Sequence, residues 1–128
     1  MEGAGSLADT YKNTGLDLNT TDPTTIYTVP TANPGALPPV FPTTAIIKSI
    51  LICNDSGNTT EYTLEWTDSS ASATYKITNT KTITTDTTYE VLSQPLVLEE
   101  SDLIKITANA ANEIHITMSF LETTKGAL

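Results

Sequence analysis

Between Ile114 and Phe120 the chain alternates without a break: Ile114, Ile116, Met118 and Phe120 are apolar, and His115, Thr117 and Ser119 lie between them. A strict period of two puts every second side chain on one face of an extended strand, so this stretch is a β-strand with one side buried and one side wet. Such a strand cannot stand alone, because its apolar face must be covered by other faces of the same kind. Most of the remaining sequence supplies them as short two-sided runs. Threonine makes up about a fifth of the chain, and β-branched side chains suit a pleated surface better than a helix. The fold class expected is all-β, an antiparallel β-sandwich or jelly roll of about eight short strands. At 128 residues the chain has the size of one ordinary domain.

Residues 1–22 are poor in large apolar groups and rich in Gly, Asn, Thr and Asp, so they are read as an extended N-terminal arm ahead of a sandwich domain over 23–122, with a C-terminal tail at 123–128. Leu7, Tyr11, Leu16 and Leu18 are scattered through the arm as isolated apolar anchors. They suit docking onto a neighbouring chain, in which case removing 1–22 is expected to leave the domain folded, or folding back onto their own domain. Ile26 to Val29 reads as an edge strand ended by Pro30, which has no N–H to give to a ladder. The segment Pro30 to Pro42 holds five prolines and is long for a connector. Leu37, Val40 and Phe41 near its tip are read as a contact surface, with a plug over one end of the sandwich as the alternative.

Ala45 to Asn54 is apolar on both faces in its second half, so one face is expected to cover the core and the other to meet a second subunit. The turn-forming run Asn54 to Asn58 then leads into Tyr62, Leu64 and Trp66, which alternate with Glu61, Thr63 and Glu65. The two strands read as a hairpin. So do Leu103–Thr107 and Ile114–Phe120 around the small polar turn Ala108 to Asn112. Tyr62, Trp66, Tyr75, Tyr89 and Phe120 are spaced to face inward.

The residues exclude more chemistry than they offer. His115 is the single histidine and Cys53 the single cysteine, so neither a multi-histidine metal site nor an intramolecular disulfide can form, and a lone imidazole on the outer face of a strand reads as a surface residue in preference to a catalytic one. No catalytic, cofactor-binding or metal site is expected. Glu61, Glu65 and Asp68 read as a solvated acidic face in preference to a glycosidase pair, and the spacing of Asn54, Asp55, Asn58 and Asp68 matches no calcium loop. A net charge of −9 opposes binding to a phosphate backbone, so no nucleic acid is expected. No apolar run approaches the length of a membrane span, and the start of the chain lacks the basic and apolar regions of a signal peptide. Synthesis in the cytoplasm is expected.

Two blocks of residues carry a resemblance. The first is Tyr11-Lys12-Asn13, Leu18, Thr20-Thr21, Ile26-Tyr27-Thr28-Val29-Pro30 and Ala45-Ile46-Ile47-Lys48-Ser49-Ile50. The second is Leu64-Glu65-Trp66-Thr67-Asp68-Ser69-Ser70, Pro95-Leu96-Val97-Leu98-Glu99, Asp102, Ile104-Lys105, Ala108-Asn109-Ala110-Ala111-Asn112 and Ser119-Phe120-Leu121-Glu122. Together they resemble a family of small β-sandwich virion structural proteins of tailed bacteriophages, of the capsid decoration or cement type. The Pro30–Pro42 loop departs from that pattern by its length.

The resemblance implies a protein without enzymatic activity or cofactor, placed on the capsid exterior of a virion, where it binds the major capsid protein and itself as a homo-oligomer, read as a trimer. A neck, collar, tail or fibre-associated virion protein is the first alternative. A carbohydrate-binding module for host attachment, using exposed aromatic rings, is the second.

Overall fold

The computed structural model describes residues 7–125, with the side chain of Leu7 excepted. Nine strands follow in order: β1 (Leu7–Leu18), β2 (Thr24–Thr28), β3 (Thr43–Asn54), β4 (Thr60–Asp68), β5 (Ala73–Ile83), β6 (Thr87–Glu90), β7 (Leu96–Leu98), β8 (Leu103–Ala108) and β9 (Ile114–Lys125). They form two antiparallel sheets. One runs β1-β9-β3-β6, with β7 also pairing to β3; the other runs β2-β8-β4-β5. Among the described residues there is no helix, and the fold class is the β-sandwich expected.

The core lies between the sheets and is built from the inward half of each alternation. Ile114, Ile116, Met118 and Phe120 of β9 face Tyr62 and Leu64 of β4 and Ile104 and Ile106 of β8, all buried. β9 is the best-connected strand, paired along its length with β1 on one side and β3 on the other. A bulge between Ile47 and Ser49 lets β3 keep both Ile47 and Ile50 inside while following β9.

The stretch read as an arm is a strand of the domain. Leu7–Leu18 pairs with β9 residue by residue, from Leu7 opposite Lys125 to Leu18 opposite Ile114, and Leu18 is only 1% exposed in the core of its own chain. Backbone pairing explains why a segment so poor in apolar residues is ordered, since β9 offers a full row of N–H and C=O groups on that side. The expected tail is likewise partly strand, β9 continuing to Lys125. Residues 1–6 of the expected arm and 126–128 of the expected tail lie outside the described residues.

Both expected hairpins are corrected. β3 and β4 belong to different sheets, as do β8 and β9, so the turns Asp55–Thr59 and Asn109–Glu113 cross the core from one sheet to the other. Alternation says which side chains point inward, and it is satisfied equally by a partner beside the strand or across the core. The turn after β3 is held by Asn54, fully buried, whose Nδ2 donates to the carbonyls of Asn58 at 2.7 Å and Ile83 at 3.1 Å, while its Oδ1 accepts from the N–H and hydroxyl of Ser56. β4 and β5 form a true hairpin.

Across the sandwich, Glu122 of β9 is buried between Lys12 of β1, at 2.8 Å, and the Tyr27 hydroxyl of β2, which donates to it at 2.5 Å. The Tyr27 ring packs tilted on Phe120, 4.3 Å between centroids. This cluster ties the edge strand of one sheet to the edge strand of the other. Burial, then the Glu122 hydrogen bond and charge, hold the Tyr27 hydroxyl protonated far above the ordinary tyrosine range. Burial, with Tyr89 nearby adding to it and Thr78 opposing, pushes Tyr62 up to about 12.

Two outcomes are expected. Removing residues 1–18 takes away Leu18 and uncovers the side of β9, so the truncated chain loses its cooperative unfolding transition in circular dichroism, contrary to the expectation for a detachable arm. Raised tyrosine pKa values contribute stability that is complete below the unfolded value of 10.0 and lost as pH rises beyond it. Denaturant midpoints should therefore fall as the pH is raised above 10, and the Tyr27→Phe, Tyr62→Phe double variant should flatten that fall.

Candidate functional site

The groups with chemical potential are drawn into internal bonds. His115 lies on the outer face of β9, its Nε2 3.5 Å from Asp17 and its Nδ1 3.7 Å from Asp55. The two carboxylates lie against opposite nitrogens of an exposed ring, an arrangement that joins β1 and the β3–β4 turn to β9. Cys53 is half-buried beside it on β3. Of the carboxylates read as an acidic face, Glu65 pairs with Lys76 at 3.3 Å and Asp68 caps its own turn through the Ser70 hydroxyl and the Ala71 N–H. The four residues weighed for calcium do not meet, because Asn54 and Asp55 lie at one end of the sandwich and Asp68 at the other.

A different acidic group was not legible in the sequence. Asp68, Glu99 and Asp102 each place a carboxylate oxygen within 4.8 Å of the others. Asp102, 1% exposed, accepts the Ser69 N–H at 2.9 Å on one oxygen, and the Glu99 N–H at 2.9 Å and the Trp66 indole N–H at 3.3 Å on the other. Its own backbone carbonyl accepts the Val29 N–H. Asp102 is thus the post on which three loops at one end of the sandwich are hung, since a buried carboxylate is tolerated when its oxygens are filled by donors. Nothing in the local sequence marks it, because its donors come from 33 and 36 residues away as well as nearby.

Trp66 is half-buried against the core, and one ring face stacks on Tyr75 at 5.2 Å. With its N–H given to Asp102 it is not an open sugar platform. Tyr75 and Tyr89, expected inside, stand 51% and 40% exposed at the sandwich margin, where Lys81 lies over the Tyr89 ring. Their strands, β5 and β6, are edges, so an inward-pointing ring there meets solvent.

The Asp102 end also carries the proline loop. Asn33 and Val40 bridge through two backbone hydrogen bonds, 2.8 and 3.0 Å, closing residues 33–40 into a narrow finger. Its base is fixed by the Thr31 hydroxyl on Ser101 at 2.6 Å and by the Ala32 N–H, which donates to Glu100. Leu37 stands at the tip, 96% exposed, while Val40 and Phe41 are half-buried in the stalk. Beside it is an open polar groove of about 530 Å³ lined by Pro42, Thr44, Ser70, Glu99, Thr123 and Lys125, among others. Of the arm residues expected to make contacts, Tyr11 is 77% exposed, Leu16 half-buried and Leu18 internal; the Leu7 side chain lies outside the described residues.

No protein-family model matches the chain, and no curated protein matches it in sequence. Solved structures do match in fold. A protein from a study describing Bacillus endospore appendages as a family of disulfide-linked pili superposes with a TM-score of 0.53 at 11% identity, over 98% of this chain and 93% of that one. A chain of infectious bursal disease virus gives 0.44 at 10% identity, over 94% of this chain and 33% of that one. A chain of the cyanophage Pam1 capsid gives 0.35 at 13% identity, over 98% and 87%. The pilus protein shares the sandwich architecture.

Replacing Asp102 by Ala orphans the N–H donors of Ser69, Glu99 and Trp66 and leaves the backbone bond from Val29 in place. Chemical denaturation should show a loss of about 3 kcal/mol, accompanied by a change in Trp66 fluorescence. A stability equal to that of the parent chain would show that the post is dispensable.

Proposed function

We propose that this chain is a non-enzymatic structural protein of a virion, and more narrowly a decoration or cement protein bound to the outside of a tailed-phage head, where it holds neighbouring major capsid proteins together. The observation that carries this reading is the finger of residues 33–40: an uncharged loop, pinned to the Asp102 end of a rigid sandwich, that presents Leu37 to solvent. Holding an apolar side chain in water on a fixed stalk has no benefit for the isolated fold, and it lowers the entropy lost when that side chain enters a partner's pocket. The resemblance to phage virion proteins and the sandwich fold support the same role.

Function then follows from linkage. A protein that binds the assembled lattice and not its dissociated parts shifts the equilibrium toward assembly by mass action. An acidic chain is repelled by packaged DNA, which suits the exterior. The finger carries alone the gripping role expected of the arm and the proline loop together, since residues 7–18 are occupied as β1.

A place in the neck, tail or a fibre is the second reading, favoured by the likeness in fold to a pilus protein over nearly the whole of both chains. Mass-spectrometric counting in purified particles separates the two: on the order of hundreds of copies supports a protein that covers a head, and about a dozen a closed ring. Leu37→Asp should weaken rebinding to stripped particles by about tenfold or more, with unfolding free energy changed by less than about 0.5 kcal/mol. Unchanged rebinding of that variant would remove the finger from the contact.

A further inference from the structure

The outer face of the β1-β9-β3-β6 sheet carries a row of apolar side chains running from edge to edge. Tyr11 of β1 is opposite Leu121 of β9, Leu121 opposite Ile46 of β3, and Ile46 opposite Val97 of β7. Their sequence neighbours Ala45, Ile47, Phe120 and Leu98 are buried inside, so alternation turns these four outward. Tyr11 is 77% exposed and Val97 55%. The corresponding face of the other sheet is unlike it: Thr25, Lys105, Glu65 and Lys76 form a row there, with Glu65 and Lys76 ion-paired. The contrast lies in these two rows, for Asp17, Lys48, Glu90 and His115 stand exposed elsewhere on the β1-β9-β3-β6 sheet.

We propose that a second copy of this chain covers the apolar row, the two like sheets packing face to face about a two-fold axis that runs parallel to the strands between β9 and β3. The pattern is self-complementary under that operation. It brings Tyr11 over the second copy's Val97 and Leu121 over the second copy's Ile46, and each pair recurs by symmetry, as an isologous interface requires. In the rows nearer the other end, Leu51 meets Thr117, Glu90 meets Gly15, Asp17 meets Thr88 and His115 meets Cys53 of the second copy, following the same registers. No like charges oppose one another in these pairs.

Area selects both the occupant and the axis. Three strands of 12 residues in a sheet four strands wide make a face about 40 Å long and about 19 Å wide, roughly 750 Å². A specific interface buries about 800 Å² on each partner, so a second copy of the same face is of the right size. A two-fold axis laid along the apolar row would also set apolar on apolar. Tyr11, however, lies nearer one end of β1 than the other, so the rows of Gly15 and Asp17 would overhang and much of the face would stay uncovered. An axis parallel to the strands keeps strand direction, so both Leu37 fingers leave the pair at the same end. In that respect alone the inference rests on the proposed particle role, giving a bivalent foot. The proposed two-fold pair differs from the trimer that the resemblance implies.

Sedimentation equilibrium on the purified full chain tests the pairing without any particle. A concentration-dependent monomer–dimer equilibrium is expected. Tyr11→Asp and Val97→Lys, both at exposed positions, should each raise the dissociation constant by about tenfold or more, while Thr25→Asp on the opposite sheet should leave it unchanged. Mixing the Tyr11→Asp and Val97→Lys chains should restore association, since the parallel axis sets the introduced carboxylate over the introduced ammonium. A chain that stays monomeric, or a dimer indifferent to both substitutions, overturns the interface. A mixture that fails to associate overturns the parallel axis. Loss of particle binding in a chain that still dimerises would instead count against the particle role.

Discussion

Everything in this sandwich is referred to β9, because it is hydrogen-bonded on both sides by long strands and contributes four consecutive inward side chains to the core. A strand in that position has no freedom of register, since a slip of one residue would turn Ile114, Ile116, Met118 and Phe120 to water and bring His115, Thr117 and Ser119 inside. Burial of the four apolar groups therefore fixes β1 and β3 against it. The outer rows are consequences of the inner ones. Tyr11, Leu121, Ile46 and Val97 come into line only because the core sets the pairing of β1, β9, β3 and β7.

Core packing cannot by itself decide which loop goes where, and buried polar groups supply that information. Asp102, Asn54 and Glu122 occupy three separate places, each a carboxylate or amide out of water with its partners aimed at it. Leaving any one unpaired would cost more than its bonds contribute, because a buried donor or acceptor without a partner loses its hydration and gains nothing. The loops around Asp102 and the crossing around Asn54 are held to single conformations for that reason, and the edge strands β1 and β2 are held together by Glu122. Glu90 does similar work at the β6 edge. Burial opposes its charge, yet the Ser49 hydroxyl and the N–H groups of Ile50 and Leu92 outweigh that and keep its carboxyl below the ordinary value.

Period-two alternation made the strand class and the core of β9 readable from residues alone, and Pro30, with no N–H for a ladder, did the same for the edge position of β2. It left strand partners unreadable. The inward faces of β3 and β4 are equally satisfied side by side or across a core, and the second was chosen by the crossing turn that Asn54 organises. β1 was unreadable for a different reason: Thr10, Lys12 and Thr14 face the same side as the core without being apolar, so a strand held mainly by its backbone has the composition of a loop. Asp102 drew its donors from distant segments and gave no local signal. The exposed tip of the proline loop was legible, because apolar residues in a segment that can neither pair nor coil have few places to hide.

The two faces of the sandwich show what kind of binding such a molecule can support. The finger offers a single exposed apolar side chain, Leu37, too little contact at that place for tight pairwise capture, since affinity is carried by a few well-buried anchors. Spread over a repeating lattice, modest contacts gain strength when they are held at fixed spacing, and fixed spacing is what a sandwich provides. Stiffness here has a source: the finger is bridged by its own backbone, tied to Ser101 and Glu100, and these flank Asp102, whose oxygens reach β4 through Trp66. The path from exposed Leu37 to the core thus runs through bonded groups, and the geometry of the outermost side chain depends on a carboxylate buried beneath it.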